Sequence, residues 1–242
     1  MKNKIYSTFD AAVADVPDGS VFMSPGFGGV GLPRNLLAAL HRQGAKGLTG
    51  ISNNAGAYVD PKTPPHEAKV DVGTLVAAGQ VKKMICAFTA PTHPSQVSAF
   101  VRMYNNGEVD AELVPQGTMA ERIRAAASGI GAFYTPASVG TELAEGKEHR
   151  EIEGRTYVLE YPLHADYALI RAWKADTLGN LQFRLAQRNF NPIMAMAARI
   201  TIVEVENDIV EPGALDPDAI HVPGVYVDRL VRIPPPPEGI WD

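Results

Sequence analysis

The sequence predicts an α/β protein: a single domain over residues 1–242, with a mostly parallel central sheet flanked by helices. Three observations carry this. Short apolar runs alternate with helically spaced apolar residues from Val21 to Val205, which is the rhythm of strands joined by crossover helices. The first strand opens into a loop dense in glycine that leads straight into a helical pattern. Finally, 45% of the 242 residues are hydrophobic and 20% are charged, a balance that supports a packed core and argues against disorder. No internal repeat and no shift in composition marks a second domain.

Taken along the chain, residues 8–16 form a short amphipathic helix stopped by Pro17, and residues 21–23 a core strand. Residues 34–42 carry Leu36, Leu37 and Leu40 at helical spacing. Pro33 suits the first turn of that helix, where a missing N–H costs nothing. Gly44 and Gly47 end the helix and lead into strand 48–52. Residues 57–71 are polar and proline-rich and read as an exposed loop, either a lid or subunit contact or a tolerated insertion. A helix over 72–78, a strand over 81–88, a loop around His93 and a helix over 96–104 follow. Next come a strand over 108–114 and a helix over 119–127. Residues 128–140, rich in small residues, glycine and proline, are expected to be irregular. Residues 142–161 hold a charged hairpin turning near Glu153-Gly154. Strand 166–172, a turn at 177–180, a helix over 193–198 and strands over 200–205 and 225–231 complete the pattern. Pro234 to Pro237 cannot enter a helix or sheet interior, so residues 233–242 are expected to form an extended tail.

Composition bounds the function. A net charge of −5 argues against nucleic acid as the main partner. No apolar run approaches the length of a membrane span, and no secretory signal is visible after Met1. Cys86, the single cysteine, excludes an internal disulfide. It sits in the run Met84-Ile85-Cys86-Ala87-Phe88 and reads as a buried hydrophobe rather than a nucleophile. A cytoplasmic protein is expected.

The glycine loop is Pro25-Gly26-Phe27-Gly28-Gly29-Val30-Gly31. Glycine lets a ligand approach the main chain, and the following helix would aim unpaired N–H groups at an anion. Gly26, Gly28 and Gly31 satisfy G-x-G-x-x-G, but the dinucleotide fingerprint needs an acidic residue at the end of the next strand. That strand runs into Asn53-Asn54 instead, so nicotinamide and flavin are disfavoured. Ligands in open parallel sheets bind beyond the C-terminal strand ends. Three such ends carry polar or glycine-rich loops: Pro25 to Gly31, Asn53-Asn54-Ala55-Gly56, and Pro115-Gln116-Gly117. Their carboxamides can donate to carbonyl or carboxylate oxygens without adding charge. Taken singly, Asn53-Asn54 as turn residues and Gln116 as a helix-start group are equally good readings. No spacing matches a zinc site, no G-x-S-x-G elbow or Walker lysine occurs, and Glu206 in its charged turn reads as solvated. No residue stands out as a nucleophile.

The ordered blocks resolve this. They begin with Asp18-Gly19, Gly26-Phe27, Gly31-x-Pro33 and Ile51-Ser52-Asn53-Asn54-Ala55-Gly56. Val114-Pro115-Gln116-Gly117-Thr118, Glu121-Arg122-Ile123-Arg124, Thr135-Pro136 and Gly140-Thr141 follow. The later ones are His164-Ala165-Asp166-Tyr167, Asp176-Thr177-Leu178-Gly179-Asn180, Ala186-Gln187-Arg188-Asn189-Phe190-Asn191-Pro192, Ile220-His221-Val222-Pro223 and Tyr226-Val227-Asp228-Arg229. Through them the chain resembles the A (alpha) subunit of the family I CoA-transferases, the 3-oxoacid CoA-transferase group, over nearly its whole length. The resemblance implies a CoA-transferase (NagB/RpiA-like) type of fold. It also implies transfer of CoA from an acyl-CoA such as succinyl-CoA to a 3-oxoacid or related carboxylate. It implies a nucleophilic glutamate in an S-E-N-G-like motif of a partner B subunit, an A2B2 heterotetramer, and no catalytic residue in this chain. No permanent cofactor or metal is implied, and the coenzyme A thioester enters as substrate. Pro25, Gly26, Phe27, Gly28, Gly29, Val30 and Gly31 would contact CoA, while Asn53, Asn54, Gln116 and Gly117 would line the pocket near the thioester.

Two departures stand out. The family loop usually carries Gly-Gly-Phe, and Pro25 replaces the first glycine. Loop 57–71 is longer than is usual for the group and lies just after Asn53-Asn54, which leaves the acceptor open among acetoacetate, 3-oxoadipate and another acid. These departures keep an acyl-CoA hydrolase subunit of the same fold as an alternative. A nucleotide-binding regulatory module is a second alternative, opposed by the missing acidic residue.

Overall fold

The computed structural model describes residues 3–57, 59, 69–89 and 96–235. The chain starts with β1 (Ile5–Tyr6), α1 (Phe9–Val13), β2 (Val21–Ser24), α2 (Arg34–Gln43), β3 (Leu48–Asn54), α3 (Val72–Ala77) and β4 (Val81–Phe88). It continues with α4 (Ala99–Asn105), β5 (Asp110–Leu113), α5 (Gln116–Ser128), β6 (Phe133–Thr135), β7 (His149–Ile152) and β8 (Arg155–Glu160). It ends with β9 (Ala165–Ala172), β10 (Lys174–Asp176), β11 (Leu181–Gln182), α6 (Asn191–Ala197), β12 (Ala198–Val205), β13 (Ile209–Val210) and β14 (Arg229–Arg232).

Among the described residues the main sheet has eight strands in the order β1-β14-β12-β9-β2-β3-β4-β5, and every neighbouring pair is parallel. From β2 the chain steps outward through β3, β4 and β5, and later returns to build β9, β12 and β14 on the other side. The order therefore reverses between β2 and β9. Strands buried on both faces read as continuous apolar runs, and period-two alternation sorts their side chains. Tyr167 and Leu169 face one core with Leu36, Leu37, Leu40, Leu75 and Phe100. Ala168 and Ile170 face the other with Met119, Ile123, Met194 and Phe183. Helices α1 to α4 thus cover one face, while α5 and α6 cover the other.

Local chemistry sets the helix ends. Thr8 Oγ1 accepts from Ala11 N at 3.1 Å at the start of α1, and Ser98 Oγ from Val101 N at 3.3 Å at the start of α4. Asp71 forms a capping box with Thr74 on α3. Its carboxylate accepts from Gly73 N at 2.8 Å and from Ala57 N at 2.7 Å, so one side chain joins the two ends of the long loop. Burial pushes the Asp71 carboxyl up, against these amides and the Arg34 charge. Residues 58 and 60–68 of that loop, the loop around His93 and tail residues 236–242 lie outside the described residues.

Several expectations are corrected. Pro33 is the N-cap of α2, not a residue of its first turn. Strand β3 runs through Asn54, so Asn53 and Asn54 are strand residues rather than a turn. Helix α5 begins at Gln116, which puts Gln116 and Gly117 in its first turn. Helix α4 begins at Ala99, since Ser98 supplies the cap. The stretch expected to be irregular contains β6, which pairs antiparallel with β8. The expected strand over 225–231 is a 3-10 turn at Gly224–Tyr226 followed by β14. The charged hairpin is present as β7 and β8; both turn residues take positive φ, Glu153 at 51° and Gly154 at 75°, as a two-residue hairpin turn requires.

Candidate functional site

The glycine loop leaves β2 next to the point where strand order reverses, at the C-terminal edge of the sheet. Open parallel sheets bind their ligands there. Pro25, Gly26 and Gly31 are buried, while Phe27, Gly28, Gly29 and Val30 face solvent. Phe27 N donates to Val30 O and Val30 N to Phe27 O, each at 3.1 Å. Gly28 and Gly29 turn the chain between them with φ of 58° and 91°. The tip is therefore a closed two-residue hairpin turn that side-chain-bearing residues disfavour. Its exit is held from a distant segment. Asn189 Nδ2 donates to Val30 O at 3.1 Å and Asn191 Nδ2 to Gly31 O at 3.0 Å. A Cβ on Gly31 would lie 2.8 Å from Asn191 Nδ2, so this glycine is required by close approach as well as by its φ of 77°.

Asn53, next to last in β3, lies beside the loop, since Ser24 and Ser52 are registered partners in β2 and β3. Its side chain is buried. From the first turn of α5, Gln116 Nε2 donates to Asn53 Oδ1 at 2.6 Å. Two of the carboxamides singled out in the sequence are thus joined across 63 residues of chain. With its oxygen occupied, Asn53 keeps its amide N–H groups oriented, which suits a donor to a substrate oxygen. Asn54 points to the opposite face of the strand and is half-buried. Gln116 and Gly117 are exposed at the edge of the site.

The helix N-terminus behaves differently from expectation. Its N–H groups do not wait for an external anion. Glu204 of β12, fully buried, accepts from Asn35 N at 2.9 Å and Leu36 N at 3.0 Å through Oε2. It serves as the cap that Pro33 cannot supply. Arg171 Nη1 lies 3.6 Å from Glu204 Oε1. Burial pushes the Glu204 carboxyl up to about 7, against the backbone donors and Arg171. Glu206 is not simply solvated either: its Oε1 accepts from Arg171 Nε at 2.7 Å and from Gln187 Nε2 at 2.6 Å. Arg171 N in turn donates to Asn191 Oδ1 at 2.8 Å. One network therefore runs from the cap of α2 through Arg171 to the residue that holds Gly31.

Cys86 is fully buried, and burial pushes its thiol up to about 11, so it has no thiolate to offer near neutral pH.

Residues 6–232 match the family model described as Coenzyme A transferase. The chain belongs to the coenzyme A transferase family. It is 48% identical over 235 residues to the A subunit of 3-oxoadipate CoA-transferase of Pseudomonas putida, covering 96% of this chain and 95% of that protein. It is 50% identical over 229 residues to the A subunit of succinyl-CoA:3-ketoacid coenzyme A transferase of Xanthomonas campestris, covering 94% and 88%. Among solved structures, glutaconate coenzyme A-transferase from Acidaminococcus fermentans superposes with a TM-score of 0.79 at 22% identity, covering 96% of this chain and 76% of that one. The decarboxylase AibA/AibB superposes with a TM-score of 0.75 at 26% identity, covering 96% and 84%. The fold therefore hosts more than one chemistry, and the site must carry the functional argument.

In this CoA-transferase chain, the sequence singled out the glycine loop, Asn53 and Gln116, and the structure brings Asn53 and Gln116 together beside that loop. Sequence reasoning missed Glu204, Arg171, Asn189 and Asn191 as the frame around them. One signal was present: Glu204 interrupts an apolar strand run, and a carboxylate there is either paired or functional.

Proposed function

We propose that this chain is the A subunit of a heteromeric, cytoplasmic CoA-transferase, assembled as A2B2. It moves CoA from an acyl-CoA such as succinyl-CoA to a 3-oxoacid or related carboxylate, and a glutamate of the B subunit is the nucleophile. The observation that carries this reading is the buried Asn53 locked by Gln116 at 2.6 Å beside the glycine loop. That is a donor fixed before substrate arrives, placed where parallel sheets take their ligands.

The roles follow from chemistry. Attack of a carboxylate on a thioester places negative charge on the carbonyl oxygen, and attack on the resulting anhydride does so again. Asn53, with Gln116 behind it, supplies an N–H donor to that oxygen. Gly117 completes the pocket wall at the start of α5, and Asn54, whose side chain leaves β3 on the opposite face from Asn53, contributes its main chain there. The tip Phe27 to Val30 presents main chain and two apolar side chains to the pantetheine arm, while Pro25, Gly26 and Gly31 hold the tip in place. Covalent catalysis divides one difficult transfer into easier steps. In this reading the acid that forms the covalent intermediates belongs to the partner, so the chain alone orients and stabilises without reacting. The identity to relatives named as A subunits supports the presence of a partner chain.

The test is reconstitution. The chain, its partner and the mixture are each assayed for acyl transfer from succinyl-CoA to 3-oxoacids. Transfer by the mixture alone supports the reading. Release of free CoA by the mixture with no acceptor required would replace it with hydrolysis.

A further inference from the structure

We propose that Arg34 is a specificity-determining residue of this site, binding an anionic oxyacid group of the substrate: a second carboxylate on the acid, or the 3′-phosphate of CoA. The proposal rests on the transferase reading and deepens it.

Arg34 is the first residue of α2, a position where the helix dipole favours an anion and disfavours a cation. Placement against a local preference, in a protein otherwise consistent with its fold, marks functional positions. The helix does not need Arg34 for its end, because Glu204 already takes the amides of Asn35 and Leu36. The guanidinium reaches across the C-terminal edge of the sheet. Nη1 donates to Val70 O at 2.7 Å, and Nη2 lies 3.6 Å from where a Gly29 Cβ would stand. It therefore sits against the exposed loop tip, between that tip and the segment that closes the long loop.

Its charge is not consumed by its described neighbours. Among the described residues no carboxylate is within ion-pair distance of it. Asp71, whose carboxyl senses Arg34, has both oxygens engaged by Ala57 N and Gly73 N. Arg171 differs, being committed to Glu204 and Glu206. A guanidinium has five donors in a planar fork suited to carboxylate and phosphate. Val70 takes one, and the glycine at position 29 leaves the space beside Nη2 free of a side chain from that position.

The experiment uses the assembled two-subunit enzyme with Arg34→Gln and Arg34→Lys. One arm compares 3-oxoadipate with 3-oxohexanoate as acceptors, which differ by the second carboxylate. The other compares succinyl-CoA with succinyl-dephospho-CoA as donors, which differ by the 3′-phosphate. A charge-assisted hydrogen bond corresponds to roughly a 10- to 100-fold effect. In Arg34→Gln the ratio of kcat/KM for the anion-bearing substrate over its counterpart should fall by that factor in one arm, and that arm names the source. Arg34→Lys, which keeps the charge, should recover part of it. It also carries the test if Arg34→Gln fails to assemble: its ratio should then fall less, by about 3- to 10-fold. Ratios unchanged in both arms would overturn the proposal and leave the transferase reading standing. A wild-type enzyme that transfers CoA to no acid would overturn both.

Discussion

Glu204 offers the sharpest test of how burial and hydrogen bonding compete in this fold. Its carboxyl is fully buried, caps α2 through two backbone N–H groups, and is pushed up to about 7 from an ordinary 4.5. Between those values the folded chain holds a proton that the unfolded chain has released. The folded state binds more protons, so stability falls as pH rises through this window. At about 1.36 kcal/mol per unit, the interval corresponds to about 3 kcal/mol, levelling off above the folded value. Glu204→Gln keeps an oxygen for the amides of α2 but does not titrate. Urea unfolding of both proteins between about pH 4.5 and 8 measures the difference directly. Wild type should lose stability relative to Glu204→Gln as pH rises. The opposite slope would mean that the two amides and Arg171 outweigh burial, and would refute the reasoning. Glu204→Ala should be worse at every pH, by about 2–4 kcal/mol, because it strands the amides of Asn35 and buried Leu36 and removes a cap.

Three further outcomes are expected. Alanine at Asn53 should lower kcat/KM of the assembled enzyme by about 100-fold, and a double-mutant cycle with Gln116→Ala should give a coupling of about 1 kcal/mol in stability; a coupling near zero would remove the hydrogen bond from the account. Gly31→Ala should cost about 1–3 kcal/mol, from positive φ and contact with Asn191, and a melting temperature equal to wild type would contradict it. Glu112 would be raised by burial, but its bonds to Lys83 and Arg122 outweigh this and hold it below 4.5. Its contribution, about 1 kcal/mol, is present above 4.5 and lost as pH falls through the lower folded value, so the penalty of Glu112→Gln should vanish in acid melts.

The strands were legible where chemistry is local. Val81–Phe88 is an apolar run bounded by Gly79 and Pro91, and the structure has a strand with those ends. Glu153-Gly154 marked its hairpin for the same reason. Short β6, three residues in a glycine-rich stretch, exists because β8 offers it an edge, and no local pattern encodes that. At the site, Asn53 and Gln116 were readable as carboxamides at strand ends, but their hydrogen bond depends on β3 and α5 both extending farther than propensity indicated. The hold of Asn189 and Asn191 on the glycine loop spans about 160 residues. Sequence periodicity carries no record of such a contact. The expectation that α2 would offer its amides to a ligand failed because it considered the helix alone, and β12 had already brought a carboxylate to it.

In the proposed enzyme this chain positions and stabilises while its partner reacts. Intact-mass measurement of both proteins after incubation with an acyl-CoA, acceptor withheld, tests this most directly. A covalent CoA adduct on the partner, with this chain unmodified, is the predicted result. An adduct on this chain would contradict the account.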